Sequence, residues 1–171
     1  MNKEVAAFIS LGSNLGDRWN NINRALELIM GIHTISIHKH SCLYSTSAWG
    51  NENQSDFLNM VIEIHTKIKA ELLMKELLQI EEQMGRIRID HWGPRSIDLD
   101  IIYFDDQIIS SEFLKVPHPE MQNRNFVLVP LVEIAPEFVH PVFNINNSEL
   151  LNNCQDKLEV IPFINKEIEN A

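Results

Sequence analysis

Val5 to Leu11 form a short, mostly apolar run closed by Gly12-Ser13-Asn14, the pattern of a buried strand followed by a turn. Beyond the turn, Trp19, Ile22, Leu26, Ile29 and Met30 recur at helical spacing. Asn14, with Asp17 three residues later, supplies an N-cap and an acidic first turn, and Gly31 a stop. Thr34 to Thr46 alternates loosely and is rich in Ile, Thr, Ser and Tyr, which predicts one long, bulged strand. Ser47 to Ser55 is polar, carries Gly50 and Asn51, and reads as an exposed loop. From Phe57 the alternation is clean: Leu58, Met60, Ile62 and Ile64 share one face, while Phe57, Asn59, Glu63 and His65 share the other.

Ala70 to Met84 predicts a second amphipathic helix, with Leu73, Leu77, Ile80 and Met84 on its stripe, Glu81 at the edge of the stripe and Gly85 as its end. Arg86 to Arg95 contains a Gly-Pro pair and several charges, a second loop, and Ser96 to Phe104 is again a strand. On that strand Ile97, Leu99 and Ile101 face one way and Asp98 and Asp100 the other. A turn at Asp105-Asp106, a proline-punctuated stretch around Val116 to Pro119, an apolar run from Phe126 to Val132 and a short helix near Ser148 to Asn153 complete the pattern. Strands alternating with two good helices over short connections predict an α+β fold, a ferredoxin-like sandwich with a mainly antiparallel sheet and helices packed on it. A single domain over residues 1–164 is expected, with 165–171 a flexible C-terminal tail.

Composition changes this picture in three ways. With 171 residues, 44% of them apolar, the chain has material for a core without staples, and its two cysteines, Cys42 and Cys154, lack the spacing of a disulfide framework or a metal site. No apolar stretch reaches the ~18 residues of a membrane span, so a cytoplasmic protein is expected. A formal charge of −10 disfavours nucleic acid and anionic membranes as partners. Yet four of the six arginines, Arg86, Arg88, Arg95 and Arg124, fall between positions 86 and 124.

That cluster surrounds the strongest chemical feature, Arg95-Ser96-Ile97-Asp98-Leu99-Asp100-Ile101. Two carboxylates side by side on one strand face, ~4 Å apart, repel by about 4 kcal/mol at an effective dielectric near 20. Mg²⁺ offsets such repulsion, because it takes hard oxygen ligands and is held by one or two carboxylates plus substrate phosphates. Arginine presents a planar fork suited to phosphate oxygens, so carboxylates flanked by arginines form a polyphosphate site; surface ion pairs are the alternative. An indole in the same loop, Trp92, is unfavourable in water without a ligand or a wall to cover it. No P-loop pattern exists. Gly12-Ser13-Asn14-Leu15-Gly16 is better read as a tight strand-to-helix turn than as a phosphate loop, though backbone near Gly12 remains a candidate ligand contact. Phe57 and Asn59 offer a ring for stacking and an amide with one donor and one acceptor side, which suits the edge of a flat heterocycle; an aromatic covering the back of the sheet is the plainer reading. His38 and His40 share a strand face with no third ligand and read as surface residues. A metal-dependent phosphohydrolase would use the carboxylates and arginines but not Phe57 and Asn59. A nucleic-acid module needs basic residues among exposed aromatics, where this chain has Glu63 and His65.

The sequence resembles the 6-hydroxymethyl-7,8-dihydropterin pyrophosphokinase family. The deciding motif is Arg86-Ile87-Arg88 followed by Trp92-Gly93-Pro94-Arg95-Ser96-Ile97-Asp98-Leu99-Asp100-Ile101. Gly12 to Gly16, Asp56-Phe57-Leu58-Asn59, Val116-Pro117-His118-Pro119, Asn123-Arg124 and Phe126 support it, in family order from about Ala6 to Pro141. The resemblance implies transfer of the terminal diphosphate of ATP to the hydroxymethyl group of the dihydropterin, releasing AMP; the partners expected are these small molecules, with a monomer as the default. It implies two Mg²⁺ held by Asp98 and Asp100, with ATP as co-substrate, and Arg86 and Arg95 moving onto the phosphates as loops close. Glu81, Arg88, Trp92, His118 and Arg124 match positions around ATP. Phe57 and Phe126 match the aromatics that sandwich the pterin, Asn59 the residue that reads its edge, and Thr46, Ser47 and Trp49 loop positions lining the pocket. Two departures stand out: Ala48 where the family usually has proline, and His91 in place of a frequent arginine.

Overall fold

The structure, a computed structural model, describes residues 3–47, 55–85 and 95–164. Strand β1 (Val5–Ser13) is buried from Ala7 onward because it runs inside an antiparallel sheet, between β4 (Phe57–Thr66) and β5 (Asp98–Phe104). Two shorter strands, β2 (Ile35–His40) and β3 (Tyr44–Thr46), pair with successive stretches of β4, and β8 (Val160–Pro162) lies outside β3. The resulting order is β5-β1-β4-β3-β8. Helix α1 (Arg18–Met30) connects β1 to β2, and α2 (Ala70–Gln83) connects β4 to β5. Together these make the split β-α-β-β-α-β arrangement of the ferredoxin-like α+β sandwich.

The period-two alternation of β4 and β5 divides the interior into two cores. Ala7, Ile9, Leu11, Met60, Ile62, Ile64 and Leu99 pack on one side against Ile22 and Ile29 of α1 and Leu73 and Leu77 of α2. Phe8, Val61, Ile102 and Tyr103 pack on the other against Leu128 and Leu131 of α3 (Asn125–Ile134) and Leu150 of α4 (Asn147–Asn153). A register shift between Phe8 and Ile9 against β5 lets consecutive residues Ile102 and Tyr103 both join this second core. A small hairpin, β6 (Ile109–Ser110) with β7 (Lys115–Val116), leads from β5 to the His118 turn. Among the described residues no helix is long and apolar enough to cross a membrane.

Three local expectations are corrected, and one apolar run acquires its element. Helix α1 is capped by Asp17, whose carboxylate accepts from Asn20 N–H at 3.0 Å; Asn14 is 3% exposed and bonds elsewhere. The strand expected over 34–46 is two strands, because Ser41 leaves the ladder: its N–H donates to the Val61 carbonyl while its hydroxyl takes the Val61 N–H. Met30 is 58% exposed and does not belong to the α1 stripe, where Ala25 takes its place. The apolar run from Phe126 lies within helix α3, with Pro130 inside it. The tail 165–171 lies outside the described residues.

Candidate active site

Strand register builds the site. Gly12 on β1 stands opposite Asn59 on β4 and Asp98 on β5, and Asn59 stands opposite Tyr44 on β3. One row along, Ser10 lies between Val61 and Asp100. Side chains repeat every second residue, so Asp98, Asp100, Gly12, Asn59 and Phe57 all occupy the face of the second core. Apolar packing on that face begins at Val61 and Phe8; the Gly12 row carries an amide and a carboxylate instead.

Position 12 must be small. A Cβ there would stand 3.0 Å from Asn59 Oδ1 and 3.9 Å from Phe57 Cδ1, so the glycine makes room for the amide. Asn59 is 2% exposed, and its Nδ2 donates to Thr46 Oγ1 at 2.9 Å, which fixes which side of the amide is donor and which acceptor. Phe57, half-buried, pairs with Thr46 across β3 and β4, and Ser47 follows exposed.

The acidic strand is held from three directions. Arg95 Nη1 donates to Asp98 Oδ2 at 2.8 Å. The Arg95 backbone is pinned to the end of β1: its N–H donates to Asn14 Oδ1 at 2.8 Å and its carbonyl accepts from Asn14 N–H at 3.1 Å. Glu81, 2% exposed on α2, accepts the N–H of Leu99 on Oε1 at 2.8 Å, at the residue between the two aspartates. The expectation that placed Glu81 at the edge of a helix stripe understates its burial. The sequence pattern marks Asn14 as a helix cap and not as this anchor; its place directly after an apolar strand and a glycine is the available signal.

His118 approaches from the turn after β7. Its N–H donates to the Ile102 carbonyl at 3.0 Å, and its Nδ1 accepts from Glu120 N–H at 3.2 Å. Burial, and then the Arg124 guanidinium, push the imidazole down to about 4, against the pull of Asp98. The ring is therefore neutral near pH 7, and because Nδ1 is an acceptor the proton sits on Nε2, which faces Asp100 Oδ2 at 4.0 Å. Arg124 lies over the Phe126 ring, 5.8 Å from its centroid, at the start of α3. Arg86, Arg88, Trp92 and Trp49, with His91 and Ala48, lie outside the described residues.

The solved structures of Plasmodium falciparum HPPK-DHPS include one that aligns over 89% of this chain at a TM-score of 0.69 and 17% identity. The chain spans 44% of that longer chain, and the likeness establishes the fold. Fold and site together define an α+β sandwich with a carboxylate pair beside an aromatic and amide wall. Residues 8–136 match the family model for 7,8-dihydro-6-hydroxymethylpterin-pyrophosphokinase. A 2-amino-4-hydroxy-6-hydroxymethyldihydropteridine pyrophosphokinase of Aquifex aeolicus is 40% identical over 81% of this chain and 86% of its own length. That of Bacillus subtilis is 44% identical over 77% of this chain and 78% of its own length. The folic acid synthesis protein fol1 of Pneumocystis carinii is 40% identical over 94% of this chain, which spans 22% of that protein. The chain belongs to the 7,8-dihydro-6-hydroxymethylpterin-pyrophosphokinase family, and catalyses the pyrophosphokinase step of folate biosynthesis on the hydroxymethyl dihydropterin with ATP as co-substrate.

Proposed function

We propose that Asp98 and Asp100 hold two Mg²⁺ for the transfer of the ATP diphosphate to the pterin hydroxymethyl oxygen, with the pterin lying against Phe57, Asn59 and Phe126. The observation that carries this reading is the row Asp98–Gly12–Asn59, which sets a carboxylate and a heterocycle-reading amide on opposite sides of a residue without a side chain. The donor set fits the metal. Two carboxylates on one strand face, with no group of three His, Cys, Asp or Glu suited to a metal among the described residues, leave most of the coordination sphere to phosphate oxygens and water. When bound, Mg²⁺ neutralises phosphate charge and lowers the pKa of a coordinated hydroxyl.

The chain's own residues do the rest. Asn59, oriented by Thr46, donates to and accepts from the edge of the pterin, and the rings of Phe57 and Phe126 cover its faces. Arg95 gives a guanidinium within reach of Asp98 and of phosphate oxygens, while its backbone stays fixed by Asn14, so the side chain alone moves. His118 offers a neutral Nε2–H next to Asp100. Glu81 acts through the strand, keeping Leu99 and hence the spacing of the two aspartates. Arg86, Arg88 and Trp92 complete the phosphate side, and Ser47 and Trp49 the pterin side. The reaction assay that tests this uses ATP, Mg²⁺ and the hydroxymethyl dihydropterin: AMP and the pterin diphosphate are expected, and ADP or free phosphate as main product would overturn it.

A further inference from the structure

Helix α3 carries Phe126 in its first turn and Arg124 at its N-cap, yet Arg124 makes no capping bond with its side chain. The cap comes instead from a residue 31 positions beyond Asn125. Asp156 Oδ2 accepts the N–H of Asn125 at 2.9 Å, the Asp156 carbonyl accepts from Asn125 Nδ2 at 2.7 Å, and Asp156 Oδ1 accepts the N–H of Leu158 at 3.0 Å. A carboxylate at this place satisfies a backbone donor that the helix itself cannot, and suits the positive end of its dipole. From Asp156 the chain continues into β8, which pairs with β3 at Thr46 and Val160, and Phe163 N–H donates to the Leu43 carbonyl at 2.8 Å. One segment thus braces both sides of the site: the turn that bears Phe126, and the strand whose Thr46 orients Asn59. The segment lies beyond residue 136, where the family match ends.

We infer that Asp156 is a positioning residue for pterin binding, holding the first turn of α3 so that Phe126 stands at stacking distance from the ring. This rests on the reading that Phe126 stacks on the pterin. Both oxygens of Asp156 are engaged, one on α3 and one on its own segment, so the carboxylate fixes α3 to the segment that also carries β8. Releasing it frees the first turn of α3 to shift, and a shift of about an ångström is enough to separate stacked groups.

The test is a double-mutant cycle read as the equilibrium dissociation constant of 6-hydroxymethyl-7,8-dihydropterin, with Mg²⁺ and a non-hydrolysable ATP analogue present. Asp156→Ala is expected to weaken binding about tenfold when Phe126 is present and less than about twofold in the Phe126→Ala background, because a residue that acts through another loses its effect with it. Asp156→Asn retains one acceptor oxygen and serves if Asp156→Ala does not fold; a loss of about threefold with the same dependence on Phe126 is expected. Equal losses in both backgrounds, or no loss in either Asp156 variant, would overturn the inference while leaving the site reading intact if Phe126→Ala itself weakens binding. An unchanged constant in Phe126→Ala would overturn the stacking reading, and this inference with it.

Discussion

A methyl group at position 12 would press on Asn59 Oδ1 at 3.0 Å, and the amide cannot yield freely because its Nδ2 is committed to Thr46 at 2.9 Å. Gly12→Ala is therefore expected to turn or displace the Asn59 amide and weaken pterin binding roughly five- to tenfold while leaving ATP binding within about twofold, measured as separate dissociation constants. Equal loss for both ligands would remove Asn59 from the pterin edge. The aspartates give a different outcome. Asp98→Ala and Asp100→Ala each take a hard oxygen ligand from the strand and should lower kcat by roughly a hundredfold or more. Neither should lower the melting temperature by more than a few degrees, since the side chains are 25% and 38% exposed and one of two like charges is removed. An active, folded double variant would refute the metal-ligand role. These positions were legible because their chemistry is written in local spacing: D-x-D on an alternating strand, and F-x-N on another, put their groups on one face whatever the tertiary fold. Asn14 was not legible, since its two bonds go to Arg95, 81 residues away.

Between elements, β3 is joined to α3 by a single acidic side chain. Glu133 accepts from the Tyr44 hydroxyl at 2.7 Å and from the Cys42 N–H at 3.0 Å. Burial alone would raise the Glu133 carboxyl, but the Tyr44 hydroxyl and the Cys42 N–H hold it below the usual carboxylate range. In return burial and Glu133 push the Tyr44 phenol up to about 12, and Glu133 raises the Cys42 thiol, which favours the protonated form of this exposed cysteine. Tyr44→Phe should destabilise the protein by about 1 kcal/mol at pH 7, a hydrogen bond to a charged group discounted for its exposure. A carboxyl with a depressed folded pKa stabilises above its unfolded value of 4.5 and loses that contribution as pH falls through the folded value. The urea midpoints of wild type and Tyr44→Phe should accordingly draw together as pH falls below 4.5, and a constant difference across that range would contradict a Tyr44–Glu133 bond that joins the two elements. The elements that the sequence pattern does not reveal have separate causes. Strands β4 and β5 alternate because one face meets α1 and α2, whereas α3 buries Val127, Leu128, Pro130 and Leu131 and shows no polar stripe to reveal its period. Pro130 also reads as a helix breaker, and β8 is too short to read apart from its pairing with β3.

At the scale of the whole molecule, the charge of −10 is an average, and two of the six arginines stand at the acidic row: Arg95 donates to Asp98, and the Arg124 guanidinium acts on His118, which faces Asp100. The same scale governs its response to acid. His140 is 3% exposed; its Nδ1 accepts the N–H groups of Val142 at 3.1 Å and Phe143 at 3.2 Å, an arrangement that only the neutral ring can make. Burial holds its pKa below the ordinary 6.5, and His118 is held at about 4. Below pH 6.5 the unfolded chain takes up protons that the folded chain refuses, so each such histidine removes about 1.4 kcal/mol of stability per pH unit until its folded pKa is reached. Glu63 and Glu133, held below the usual carboxylate range, add to the loss only once pH passes below 4.5. The melting temperature of the metal-free protein should therefore begin to fall near pH 6.5, ahead of the contributions of Glu63 and Glu133. Asparagine at position 140 would accept the N–H two residues on without titrating. His140→Asn should consequently keep the neutral-pH melting temperature within a few degrees and show a shallower decline between pH 6.5 and 4.5, with the remaining slope due to His118. Melting curves for both proteins across that window measure the difference directly, and parallel declines would show that His140 does not carry the acid sensitivity.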